Sequence, residues 1–164
     1  DAAGWFDTGD LGLLGPSGDL LFRGRQKETI VLAGGENVEP TRVEAAITPS
    51  PLVHQVVVVG QDRKTLAALV VPERDAVVAR LGLPTTTTLA DLAAKPEVAA
   101  LLKDELTRRT GSGSGLRPFE HVARVAVLGE VLSGDNACLT ATLKVRRHEV
   151  VKRFAKDVEA AYAG

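Results

Sequence analysis

Three stretches of this 164-residue chain hold residue types that could bind a ligand or do chemistry. The first is Gly4-Trp5-Phe6-Asp7-Thr8-Gly9-Asp10-Leu11-Gly12, a glycine-punctuated turn with two aspartates. The turn signal Pro16-Ser17-Gly18-Asp19 and the short run Leu20-Leu21-Phe22 follow, so the stretch reads as part of a β-hairpin. Its plainest reading is that the aspartates cap turns. The second stretch, Ala33-Gly34-Gly35-Glu36-Asn37, is a loop whose paired glycines let bare main chain take positive φ and approach another molecule. The third puts Lys144 on the threonine-rich run Leu139-Thr140-Ala141-Thr142-Leu143, just ahead of a basic helix. Six Lys and Arg residues fall between Lys144 and Lys156 against one acid, Glu149. A solvated helix face accounts for Lys152, Arg153 and Lys156.

The elements that must position these residues follow from pattern. Gly24-Arg25-Gln26-Lys27-Glu28 is a short charged joint, and Thr29-Ile30-Val31-Leu32 is β-branched and apolar, a buried strand. Pro40 opens a helix through Ile47 with Val43, Ala46 and Ile47 at helical spacing, and Pro49 and Pro51 end it. Val53 to Gly60 and Leu66 to Val71 are apolar runs around the charged turn Gln61-Asp62-Arg63-Lys64, which predicts an antiparallel hairpin covered by helices. Glu73 to Leu81 and Pro96 to Arg109 read as helices, with Pro84 to Thr88 a loop between them. Glu120 to Leu128 is a third strand. Val150, Val151, Phe154, Val158 and Ala161 mark one amphipathic C-terminal helix. The glycine-serine segment 111–115 suits a native loop or a linker equally. The fold class expected is α+β: a small three-stranded sheet with helices on its faces, plus an N-terminal β-hairpin.

Composition narrows the classes. With 45% apolar and 25% charged residues the chain reads as globular, and a net charge of −1 exerts no pull toward nucleic acid. No apolar run approaches the ~20 residues that span a bilayer, though peripheral membrane contact stays open. Cys138 is the sole cysteine, so no disulfide framework exists and a reducing cytosol is the simplest compartment. His54, His121 and His148 have no metal-ligand spacing, and His54 and His121 are expected to be partly buried structural residues. The chain has no methionine and starts at Asp1, which reads as a piece of something longer.

Three motifs, in order, resemble the AMP-forming acyl-CoA synthetases of the adenylate-forming superfamily. Gly24 to Pro40, GRQKETIVLAGGENVEP, is similar to the family's GRx(K/D) joint and following I-V-x-x-G-G-E-N-V-x-P stretch. Phe6 to Asp10 is similar to its (Y/F)-D-T-G-D element, and Leu139 to Arg147 to its L-T-P-T-x-K-x-(R/K)-(R/K) element, with Ala141 for the usual proline and Leu143 where many members have glycine.

The resemblance implies a division at the joint. Residues 1–26 would end a large nucleotide-binding domain, and 27–164 would be the mobile C-terminal domain of a long-chain fatty acid–CoA ligase. It implies that Asp10 and Arg25 bind the ribose of ATP, that Lys27 is the hinge, and that Gly34, Gly35 and Glu36 line the CoA tunnel. Lys144 would be catalytic, contacting the acyl carboxylate and the α-phosphate. The partners implied are a fatty acid, ATP and CoA, with Mg²⁺ held mainly by the N-terminal domain of the same protein and no metal ligand in this chain. The chain alone would then be inactive. The alternatives are a luciferase-like or carrier-protein-loading adenylate-forming enzyme, and a module that only binds.

Overall fold

The computed structural model describes the chain except residues 1–3, 7, 26–27 and 164, and describes only the main chain of 11 and 22–25. Near the N-terminus, β1 (Asp10–Leu14) and β2 (Leu20–Arg25) form an antiparallel hairpin, with a register shift between Leu11 and Gly12. Among its described side chains Leu14 is 70% and Leu20 75% exposed, with Trp5 at 77% just ahead. No described residue of this hairpin joins either of the two core clusters.

The rest is built on three strands. β3 (Ile30–Val31) and β4 (Asn37–Val38) form a minimal antiparallel pair, and α1 (Pro40–Ile47) follows with Pro40 in its first turn, as its fixed φ favours. β5 (Val53–Val59) and β6 (Leu66–Pro72) are the expected antiparallel hairpin. A crossover holds α2 (Arg74–Leu81), α3 (Leu89–Ala93) and α4 (Pro96–Thr110), after which β7 (Val122–Val127) pairs with β6 in parallel. The sheet order is β5-β6-β7. α5 (Arg147–Arg153) and α6 (Ala155–Ala163) close the chain. The architecture is α+β, as the sequence implies.

Strand periodicity sorts the core into two layers. Val58, Leu66, Ala68 and Val70 face a cluster with Val43, Ile47, Val77, Leu92, Val98, Leu102 and Leu106 of α1 to α4. Val57, Val59, Ala67, Leu69 and Val71 face Leu128, Leu132, Cys138, Val150, Phe154 and Val158, beneath α5 and α6. Every residue of β6 is buried, as a strand covered on both faces requires.

Three local outcomes depart from the sequence reading or add to it. The C-terminal helix breaks at Phe154, whose φ of −101° and ψ of 30° leave helical geometry while its ring stays buried; Val151, expected on the apolar face, is exposed. α3 has no counterpart in the sequence reading, which assigns a loop to Pro84 to Thr88 and nothing to the residues between it and Pro96. The Thr88 side chain caps the Asp91 amide, and the Asp91 carboxylate accepts from the Thr88 amide. That reciprocal pair starts a helix too short to show a period. The 111–115 segment is tied in, with the Gly115 carbonyl accepting from Arg42 Nη2 at 2.6 Å and the Ser114 hydroxyl donating to the Thr110 carbonyl at 3.2 Å.

Candidate functional site

Asp10 opens β1 and is paired across the hairpin with Arg25, so the two residues assigned to one ribose stand opposite each other in register. Thr8 makes the local turn bond, its Oγ1 accepting from the Asp10 amide at 3.2 Å, and the Asp10 carboxylate is exposed. Lys27, the expected hinge, lies outside the described residues.

The glycine loop turns β3 into β4. The Gly35 amide donates to the Leu32 carbonyl at 2.8 Å and the Leu32 amide to the Glu36 carbonyl at 2.9 Å. Gly35 sits at φ +86°, a left-handed conformation that glycine adopts without strain. At Gly34 the Glu36 carboxylate folds back over the backbone, so that a Cβ there would come 2.4 Å from Glu36 Oε2 and the flexible carboxylate would have to swing aside. Gly34 and Gly35 are exposed, so bare main chain faces outward beside a carboxylate.

The loop rests on the β5–β6 turn. The Ala33 amide donates to the Arg63 carbonyl and the Asp62 amide to the Val31 carbonyl, both at 2.9 Å. Arg63 stacks 4.8 Å over the Tyr162 ring and pairs with Glu159, so α6 supports that turn from the far side. The Tyr162 hydroxyl donates to the Thr65 carbonyl at 2.9 Å, and burial pushes the phenol up to about 12.

Lys144 sits on a loop closed into a small hairpin by the Leu139–Val145 bridge. The Thr140 amide donates to the Lys144 carbonyl at 2.8 Å, and the Lys144 amide to Thr140 Oγ1 at 3.1 Å. The Arg146 amide donates to the Cys138 carbonyl at 2.8 Å. Leu143, 76% exposed, stands at φ +59°. A position needing a left-handed backbone is the physical reason glycine suits the residue before this lysine. Among the described residues the Lys144 ammonium has no carboxylate partner, and the side chain is exposed.

The basic helix face is not uniform. Arg153, expected to be merely solvated, holds Glu130 through a two-pronged bond of 2.8 and 2.9 Å, which draws the Glu130 carboxyl below its usual range. Lys152 and Lys156 are exposed, as expected. His54 corrects another expectation: it occupies the irregularity between Val53 and Gln55, and its ring is about half exposed beside Glu73 at 3.3 Å. The residue skipped by the ladder turns toward solvent. His121 is partly buried. Sequence reasoning missed the Glu44–Arg147 pair, whose guanidinium meets the carboxylate at 2.6 and 3.2 Å. The signal was there, a glutamate at helical spacing with the buried Pro40, Val43 and Ile47.

The structure brings two of these regions together. Glu28, Thr29 and Ile30, from the end of the joint into β3, share an open cleft of about 410 Å³ with Val145 to His148, just past the lysine. Among the described residues no group of three or more His, Cys, Asp or Glu could hold a metal ion, and no helix is long and apolar enough to cross a membrane.

Comparison with known proteins gives the same family. Residues 27–89 match the family described as AMP-binding enzyme C-terminal domain. The chain is 34% identical to a long-chain-fatty-acid–CoA ligase of Mycobacterium tuberculosis, over 97% of this chain and 26% of that protein. It is 33% identical to a chloroplastic long-chain-fatty-acid–[acyl-carrier-protein] ligase of Arabidopsis thaliana, over 98% and 22%. Among solved structures, the A domain of a carboxylic acid reductase from Segniliparus rugosus, in complex with AMP and a co-purified carboxylic acid, superposes with a TM-score of 0.82 at 28% identity, over 99% and 24%. The chain thus spans about a quarter of the length of the curated relatives it matches. Residues 27–89 thus match the AMP-binding enzyme C-terminal domain, and nearly the whole chain is similar to the corresponding part of adenylate-forming enzymes, long-chain fatty-acid ligases among them.

Proposed function

We propose that the protein carrying this chain is an ATP-dependent, AMP-forming fatty acid–CoA ligase, in which residues 27–164 are the mobile C-terminal domain and 1–26 the end of the larger one. The observation that carries this reading is the Lys144 ammonium, unpaired among the described residues on a loop held by its own backbone bonds. Joining a carboxylate to the α-phosphate brings two anions together, and a positioned cation lowers that barrier. Lys144 supplies it. Asp10 accepts from the ribose hydroxyls with Arg25 beside it. Mg²⁺, which would screen the phosphates when bound, finds no ligand cluster in the described residues.

Thioester formation requires the lysine to withdraw and a thiol to reach the same place. Rotation about Lys27 exchanges the Lys144 loop for Gly34, Gly35 and Glu36, whose exposed main chain then lines the pantetheine passage. A second reading replaces CoA with the phosphopantetheine arm of a carrier protein. The Arabidopsis relative's name favours it, and the chemistry at Gly34 and Gly35 is the same.

The test separates the half-reactions in the full-length protein. Lys144→Ala should lower fatty-acid-dependent ATP–pyrophosphate exchange roughly 10²- to 10³-fold. Acyl transfer to CoA from a supplied acyl-adenylate should stay near wild type, and Lys152→Ala should alter neither. Equal loss in both half-reactions would make Lys144 a structural residue. Transfer to a carrier protein but not to CoA would select the second reading.

A further inference from the structure

Glu44 and Arg147 are largely buried, with 14% and 17% of their side chains exposed. Besides meeting each other, both hold one residue of β5. The Val58 amide donates to Glu44 Oε1 at 2.8 Å, and the Val58 carbonyl accepts from Arg147 Nη1 at 2.6 Å. β5 is an edge of its sheet, so the pair takes the place of a neighbouring strand at that residue. Arg147 is the first residue of α5, where a positive charge opposes the helix dipole. Its Nε is also buried without a partner. Helix stability does not explain an arginine there.

Placement does. Arg147 follows Lys144 by three residues, and the Arg146 amide ties the same segment to the Cys138 carbonyl. We infer that the Glu44–Arg147 pair is a positioning device: it fixes the exit of the Lys144 loop to α1 and β5, and so sets where the ammonium stands. Neither residue touches the reacting atoms. The inference rests on the proposed role of Lys144, and it predicts a step-selective effect, because only adenylation needs the ammonium in place. A displacement of about 1 Å in such a group lowers the rate by roughly 10²-fold.

The experiment measures both half-reactions and the thermal midpoint in the full-length protein for Arg147→Met, Arg147→Lys, Glu44→Gln and Lys144→Ala. Arg147→Met should slow pyrophosphate exchange roughly 10²-fold through kcat, with the KM for ATP little changed and CoA transfer from supplied acyl-adenylate retained. Arg147→Lys keeps the charge but not the planar fork, so it should also be slow. Glu44→Gln should fall between it and the parent. A folded Arg147→Lys or Glu44→Gln with parental exchange overturns the inference, and so does parallel loss of both half-reactions. If Lys144→Ala leaves exchange intact, the role of Lys144 itself is wrong. If Lys144→Ala is slow while folded Arg147 variants are not, only the positioning inference fails.

Discussion

Leu143 shows how a single backbone angle bears on reading the site. Its φ of +59° carries a penalty of about 1–2 kcal/mol for a residue with a side chain, and at 76% exposure that side chain recovers little by burial. Leu143→Gly should therefore raise stability by up to about 1 kcal/mol after the added freedom of the unfolded glycine is subtracted. Leu143→Val should lower it, since β-branching worsens the clash. Urea unfolding of both variants checks this. At this scale the sequence was legible where residue type dictates local structure: Gly34, Gly35 and Lys144 stand on loops. It was opaque where a partner comes from far along the chain. Glu130 is not adjacent to Arg153, nor Glu44 to Arg147; the spacing of Glu44 on α1 marks it as facing inward but does not name its partner.

Between elements, the tie from α4 to the segment after α1 gives a pH test. Burial pushes the Glu105 carboxyl up, but hydrogen bonds from Arg109 and Ser50 and the charges of Arg108 and Arg109 outweigh it and hold it below its usual range. A carboxyl lowered by folding stabilises the fold above its unfolded pKa, near about 4.3, and that contribution is lost as pH falls through the folded value. Glu105→Gln should lose about 1–3 kcal/mol at neutral pH, and the gap to the parent should narrow in acid. Urea titrations at both pH values measure it. α1 and α4 were readable from their helical spacing, and the β5–β6 hairpin from two apolar runs around a charged turn. α3 was missed although Thr88-x-x-Asp91 is a capping signature. The break at Phe154 has no counterpart in composition, because Phe154 continues the apolar spacing.

For the whole molecule, the arrangement of β6 has a kinetic consequence. Its antiparallel partner β5 lies across a short turn, but its parallel partner β7 returns only after the crossover that holds three helices. Closing that crossover costs chain entropy before any β6–β7 contact repays it, whereas the β5–β6 turn closes cheaply. Assembly should therefore nucleate at the β5–β6 hairpin and add β7 after the rate-limiting barrier. Val57→Ala in β5 and Val127→Ala in β7 should each lose about 1–3 kcal/mol, yet the first should slow refolding and the second should mainly quicken unfolding. In a stopped-flow chevron the two variants would shift opposite arms. The strand buried on both faces would thus owe its two edges to different moments of folding.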